Sequence, residues 1–192
     1  MSLRLRLRAG DDEAFGELFD DCAGPVYNHA FRMVGNWSMA EDVMALTFLE
    51  AWRLRHKLEP DGGSVLPWLL GIATNVARNT ARAARRHSAA IARIPDLGVM
   101  PDFADELVGR IDDTHRLAAT RKAFARLRRC EQEVFALCVW SGLDYAAAAQ
   151  ALGWPIGTVR SRLSRARRKL EKMRCSRHKC GSSGANVDAF VW

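Results

Sequence analysis

Between Arg160 and Arg174 the chain carries eight basic residues, at 160, 162, 165, 167, 168, 169, 172 and 174, against the single acid Glu171. Ser161 and Ser164 are interleaved with them. This set offers charge to phosphates and hydrogen bonds to base edges. An arginine fork matches the two major-groove acceptors of guanine, while Ser and Thr discriminate less. Nothing comparable points to catalysis. His29, His56, His87, His115 and His178 are scattered, and there is no Gly-rich phosphate loop or His-Glu-x-x-His pattern. No enzyme is expected. Cys175, His178 and Cys180 supply three soft ligands where a structural zinc site normally needs four, so a basic tail without metal or cofactor is expected there.

The elements around the basic run place it. Ile156, Val159, Leu163, Ala166 and Leu170 follow three- and four-residue steps and predict a buried helix face. Thr158, Ser161, Arg165, Arg168 and Lys172 fall on the opposite face. Upstream, Asp144 is an N-cap for a short helix Tyr145–Leu152, Gly153 suits the left-handed turn position, and Pro155 suits a helix start. A solvated basic face or a membrane-surface helix would account for the charges alone. Neither requires a preceding helix joined by a glycine turn, so the reading is a helix-turn-helix set in a DNA major groove.

The rest of the chain sets the frame. Of 192 residues 48% are hydrophobic, enough for a buried core, and 29 Lys and Arg against 22 Asp and Glu leave a net charge of +7 suited to a polyanionic partner. No apolar run is long enough for a membrane span, so no membrane insertion is expected, and the first residues lack the apolar stretch of a signal peptide. A cytoplasmic protein is expected. The cysteines are odd in number and irregularly spaced, and Cys22, Cys130 and Cys138 read as core thiols.

Helical periodicity dominates and alternating strands are lacking, which predicts an all-α fold. One segment runs from about Asp12 to Val34, with Phe15, Leu18, Phe19 and Cys22 inside and Gly24-Pro25 as a break or kink. Ser38 and Glu41 form a capping-box pattern for a helix to about Arg53, on which Ala40, Val43, Met44, Thr47, Phe48 and Ala51 face inward and Leu46 and Leu49 outward. A loop, Lys57 to Leu66, precedes a helix from about Pro67 to Arg86. There Leu69, Ile72, Ala73, Val76, Thr80 and Ala83 face inward, opposite Asn75, Arg78, Arg82 and Arg86, with Trp68 as a core aromatic. Residues 87–113, acidic and broken by Pro95, Gly98 and Pro101, read as a flexible linker. Two small helical domains are therefore expected, 1–86 and 114–174, the second with the helix-turn-helix, followed by a disordered tail over 175–192.

Gly157-Thr158-Val159-Arg160-Ser161-Arg162-Leu163-Ser164-Arg165-Ala166-Arg167 resembles the recognition helix of extracytoplasmic-function (ECF) sigma factors of the sigma-70 family. Ala40-Glu41-Asp42-Val43 with Thr47-Phe48-Leu49-Glu50-Ala51-Trp52-Arg53 resembles sigma region 2.2, and Pro67-Trp68-Leu69-Leu70 with Ile72-Ala73-Thr74-Asn75 resembles regions 2.3 and 2.4. The resemblance spans residues 11–86 and 114–172. It implies a subunit that binds core RNA polymerase, through the β′ clamp helices and the β flap, and directs initiation at promoter DNA. Glu41, Asp42, Leu46, Leu49 and Arg53 would meet the polymerase. Lys57, Asn75, Arg78 and Arg82 would serve the −10 element, with loop 57–66 where the family captures a flipped −10 base. Arg160, Ser161, Ser164, Arg165 and Arg168 would read the −35 element, with Thr158 on phosphate. An anti-sigma factor is a further candidate partner. The chain departs from the family at Ala45-Leu46, where a Gln-Glu pair is usual, implying a weaker or more apolar contact. It departs again at Tyr145-Ala146-Ala147-Ala148-Ala149 against Tyr-Ala-Glu-Ile-Ala, implying looser packing of the first motif helix. The alternative is an operator-binding regulator that acts as a dimer. It gives the first domain no reason to display both the Glu41–Arg53 and Trp68–Asn75 patterns.

Overall fold

The computed structural model describes residues 2–91 and 122–178, with side chains through 173. The described residues are helical or loop: α1 (Leu3–Ala9), α2 (Asp12–Val34), α3 (Trp37–Leu54), a 3-10 turn Arg55–Lys57, α4 (Leu66–Ile91), α5 (Arg129–Phe135), a π-helical turn Ala136–Trp140, α6 (Tyr145–Leu152) and α7 (Ile156–His178). The fold is all-α, as the periodicity requires. Expectations on residues 92–121 and 179–192 lie outside the described residues.

Local chemistry sets most boundaries. Asp11 accepts from the Ala14 amide at 3.1 Å and opens α2, and Gly35 closes it at φ +71°. Of the break or kink expected at Gly24-Pro25, the break does not occur: α2 runs continuously through Pro25. The proline lies on the exposed side, where the carbonyl it leaves free meets water, while Cys22 and Val26 keep the helix anchored on its buried side. α3 starts before the Ser38 box, because Asn36 accepts from Met39 N at 2.9 Å and Trp37 stacks on Phe31 at 4.2 Å, drawing residue 37 into the first turn. α1 has no counterpart in the sequence expectation. Its alternating Leu and Arg hide a helical stripe of which Arg4 and Leu7 are buried.

Two boundaries expected to be flexible are helical. α4 continues five residues past Arg86, since Ala84 to Ile91 holds no Gly or Pro and is rich in alanine, the best helix former. α7 likewise runs through 175–178, the first Gly coming only at 181.

One contiguous apolar core spans both ends of the chain. Leu18, Val26, Phe48, Leu69, Leu70 and Ile72 join Phe124, Val134, Phe135, Leu137, Val159 and Leu163 in a single cluster. The continuity arises at α4, which packs against α2 and α3 on one side and α6 on the other. Its expected stripe holds for Leu69, Ile72 and Ala73. Val76 and Thr80 are half-buried, and Ala83 is exposed where the helix runs beyond its neighbours. Leu70, Gly71 and Thr74 are also buried. Of the expected core thiols Cys22 is buried, but Cys130 and Cys138 are only half-buried, because α5 and the π turn lie at the edge of this cluster. Phe19, expected inside, is 41% exposed and covers Phe48 from without, with ring centroids 4.8 Å apart.

Gly71 marks the closest approach: a Cβ there would lie 2.4 Å from the Ala151 carbonyl oxygen. Overpacking of this kind costs about 1–3 kcal/mol. Gly71→Ala should lower the urea midpoint accordingly, while Gly16→Ala, at an open helical site, should leave it equal or higher. Equal midpoints for Gly71→Ala and the parent would show that α4 and α6 do not meet this closely.

Candidate nucleic-acid interface

The C-terminal motif is built as its residue types require. Asp144 accepts from Ala147 N at 2.7 Å, and the Gly153 amide, at φ +64°, closes on the Ala149 and Gln150 carbonyls. Val159, Leu163, Ala166 and Leu170 are buried, none above 7% exposed. Ile156, expected among them, is 45% exposed because the first turn of α7 projects past the apolar cluster. Ala148 and Ala149, where looser packing is expected, are both buried, and the backbone of Ala151 makes the close approach to Gly71 of α4.

On the outward face of α7, Arg160, Ser161, Ser164, Arg165 and Arg168 are exposed and Thr158 is half-buried, its carbonyl accepting from Ser161 Oγ at 3.1 Å. Arg160 lies over the Tyr145 ring at 5.6 Å. Not every basic residue points outward. Arg162 stacks on Trp154 at 4.1 Å, and Lys169 Nζ donates to both oxygens of buried Glu131 at 2.7 and 2.8 Å. Burial pushes the Glu131 carboxyl up, but the bonds from Lys169 and the Arg128 amide outweigh it and leave the group below its ordinary range.

The second candidate surface is divided. Asn75 and Arg82 on α4 and Lys57 on the 3-10 turn are exposed. Arg78 is turned toward α5, where it pairs with Glu133 at 2.9 Å, a carboxylate only 2% exposed. Arg129 donates to the Arg78 carbonyl at 3.0 Å. Burial raises the Glu133 carboxyl, opposed by Arg78 and Arg129. The segment between α3 and α4 is braced by α1. Arg4 bonds the carbonyls of Glu59, Gly63 and Ser64, and Arg8 those of His56 and Leu58.

A polar seam continues this contact. His29, 1% exposed, bonds Thr74 Oγ1 through Nε2 at 2.9 Å and Ser141 Oγ through Nδ1 at 3.2 Å. Thr74 donates its hydroxyl to the Leu70 carbonyl at 2.8 Å. It therefore accepts from Nε2–H, which leaves Nδ1 to accept from Ser141. Arg32 donates to the Trp140 carbonyl at 2.7 Å and lies over that ring. The π turn, closed by Ser141 N to Ala136 O at 2.9 Å, presents both groups.

Along α3, Glu41, Asp42, Leu46, Leu49 and Arg53 share the exposed face, with Leu46 and Leu49 47% and 58% exposed. Leu49 borders an apolar groove with Phe15, Phe19, Phe48 and Trp52. Arg53 meets Glu50 at 3.2 Å in solvent, a pair of little energetic weight.

Sequence reasoning missed His29, Arg32, Glu131, Glu133, Arg4 and Arg8. Two carboxylates just after the basic stretch 126–129, and a histidine three residues after Val26 on the inner face of α2, were the available signals. Among the described residues no group of three or more His, Cys, Asp or Glu could hold a metal ion, and no helix is long and apolar enough to cross a membrane. The Cys175, His178 and Cys180 side chains lie outside the described ones.

Burial, with Arg32 nearby, lowers the His29 pKa from 6.5 to about 4. A neutral buried imidazole stabilises the fold fully above the unfolded pKa, and that stability is lost as pH falls from about 6.5 toward about 4, on the order of 3 kcal/mol. Glu131 and Glu133, on opposite sides of the carboxylate norm, titrate nearby in opposing senses. The His29 contribution is therefore read as a difference: urea unfolding at pH 7 and pH 4.5 should show a smaller acid loss for His29→Gln than for the parent. Identical losses would place the acid sensitivity elsewhere.

Comparison with known proteins agrees with this geometry. Residues 18–87 match the model of Sigma-70 region 2 and residues 117–170 that of Sigma-70, region 4. The RNA polymerase sigma factor CarQ of Myxococcus xanthus is 33% identical over 172 residues, covering 88% of this chain and 93% of CarQ. HrpL, an RNA polymerase sigma factor of Pseudomonas syringae pv. syringae, is 33% identical over 141 residues, 73% of this chain and 76% of HrpL. Among solved structures, the sigma factor RpoE in complex with the anti-sigma factor NepR from Bartonella quintana superposes with a TM-score of 0.62 at 26% identity, covering 84% of this chain and 96% of that one. A region 2 helical unit, a region 4 helix-turn-helix and extensive identity to sigma factors place the chain in the sigma-70 family, as an ECF RNA polymerase sigma factor.

Proposed function

We propose that this sigma factor divides promoter recognition between its two helical units. Glu41, Asp42, Leu46, Leu49 and Arg53 on α3 dock on the β′ clamp helices, and the second unit meets the β flap. Lys57, Asn75, Arg78 and Arg82 hold the opened −10 strand, with the loop after Lys57 taking the flipped base. Arg160, Ser161, Ser164, Arg165 and Arg168 read the −35 duplex in the major groove while Thr158 fixes phosphate. The observation that carries this reading is the outward face of α7: five polar side chains stand in solvent on a helix whose opposite face is locked in the core.

The packed arrangement is a resting one. Arg78 is neutralised by Glu133, so a DNA phosphate reaches it only by displacing that carboxylate, which requires α5 to leave α4. Polymerase supplies the bond-forming chemistry and this chain supplies position, so the protein acts in the cytoplasm and catalyses no reaction itself. The pairing of RpoE with NepR supports an anti-sigma factor as a partner of this chain too.

The test is reconstituted transcription with core polymerase on a promoter library randomised at both elements. Arg160→Ala and Arg165→Ala should each reduce −35 discrimination by about tenfold or more, without loss of polymerase affinity. Leu46→Ala with Leu49→Ala should weaken polymerase binding and leave −35 preference intact. The reverse pattern would show the two surfaces to be misassigned, and no start above core polymerase alone would refute the reading.

A further inference from the structure

Arg4 and Arg8 lie one turn apart on α1, and both direct their guanidinium groups at backbone carbonyls between α3 and α4. Arg4 is 8% exposed. Its Nε donates to Gly63 O at 2.8 Å, Nη1 to Glu59 O at 2.8 Å and Nη2 to Ser64 O at 2.9 Å. One rigid planar fork thus ties the entering limb of the loop to its leaving limb. Arg8 bonds the carbonyls of His56 and Leu58, on either side of Lys57. Among the described residues no other side chain from outside the loop bonds the backbone of residues 59–64. Gly62 closes directly over the fork, where a Cβ would stand 3.0 Å from Arg4 Cζ. Beneath the loop a cavity of about 360 Å³ is lined by Arg4, Leu18, Asp21, Cys22, Gly62 and Ser64, among others, within the ~300–1,000 Å³ range of ligand pockets.

A loop with two adjacent glycines and no regular structure has little intrinsic shape. Its walls are where Arg4 puts them. We propose that Arg4 is the positioning residue that sets −10 base specificity, by fixing the loop in the form that accepts the flipped base, with Arg8 holding the turn that presents Lys57. This rests on the loop reading given under the proposed function. Arg4 need not touch DNA. Lysine at this position keeps the charge but offers a single point of attachment in place of a planar fork, so charge and shape can be separated.

The experiment uses the full chain with core polymerase on the promoter library randomised at both elements, comparing the parent with Arg4→Lys, Arg4→Ala and Arg8→Ala. Arg4→Lys and Arg4→Ala should flatten base preference at the captured −10 position by about tenfold, with −35 preference and polymerase affinity unchanged. Arg8→Ala should act in the same direction to a smaller extent. Unchanged −10 preference in both Arg4 variants overturns the proposal. So does a joint loss of −10 preference, −35 preference and polymerase affinity in Arg4→Lys, which would make the residue a general support of the fold. Asp61→Ala and Ser64→Ala probe the loop itself. If they alter −10 preference while the Arg4 variants do not, only the role of Arg4 fails; if they too leave it unchanged, the loop reading fails and takes the proposal with it.

Discussion

The enclosure of α4 on two sides is the constraint on which the rest of the molecule depends. Leu69 and Ala73 pack with the N-terminal helices, and Gly71 lies against the backbone of α6. A helix covered this way cannot follow a simple one-stripe pattern. It needs a residue without a side chain where another backbone arrives, and a partner for each polar group enclosed with it. Both conditions are met. Gly71 leaves the space, Thr74 is bonded to His29 and to the Leu70 carbonyl, and among the described residues no buried side-chain nitrogen or oxygen lacks a partner.

The charges follow from that enclosure. Glu131 and Glu133 stand two residues apart on α5, about 200° around the helix from each other, and each takes a cation from a helix expected to meet DNA: Lys169 of α7 and Arg78 of α4. Buried pairs of this kind contribute little net stability, because desolvation offsets much of the attraction, but removing one partner is costly. Their effect here is directional. Glu131 turns one basic side chain inward and leaves the outer face of α7 to Arg160, Arg165 and Arg168, whereas Glu133 occupies the position a phosphate would take on Arg78. The same acidic pair therefore leaves one proposed nucleic-acid surface open and neutralises an arginine of the other.

The loop between α3 and α4 illustrates how shape is imposed where the local chain cannot supply it. Glycine-rich backbone has high conformational freedom, and ordering it costs entropy at every residue. Arg4 offsets that cost with three hydrogen bonds from one group, made in a mostly buried setting where competition from water is weak. An arginine with no carboxylate beside it would ordinarily be read as a surface charge.

The sequence by itself determined the long helices, most of their inner stripes and the helix-turn-helix, because each depends on residues three or four apart; α1 and the exposure of Phe19, Ala83 and Ile156 were not legible in it. The Asp144 cap, the Gly153 turn and the Val159-Leu163-Ala166-Leu170 face are all read within a few turns of chain. Where two local signals competed, as at Asn36 and Ser38, packing of Trp37 on Phe31 decided. Only the tertiary structure could assign partners. Arg78 finds Glu133 across 55 positions and His29 finds Ser141 across 112, and the helical period carries no information over such distances. The pattern identified a basic face on α4. Which of its arginines is free and which is held is decided by the residues that the fold brings against it.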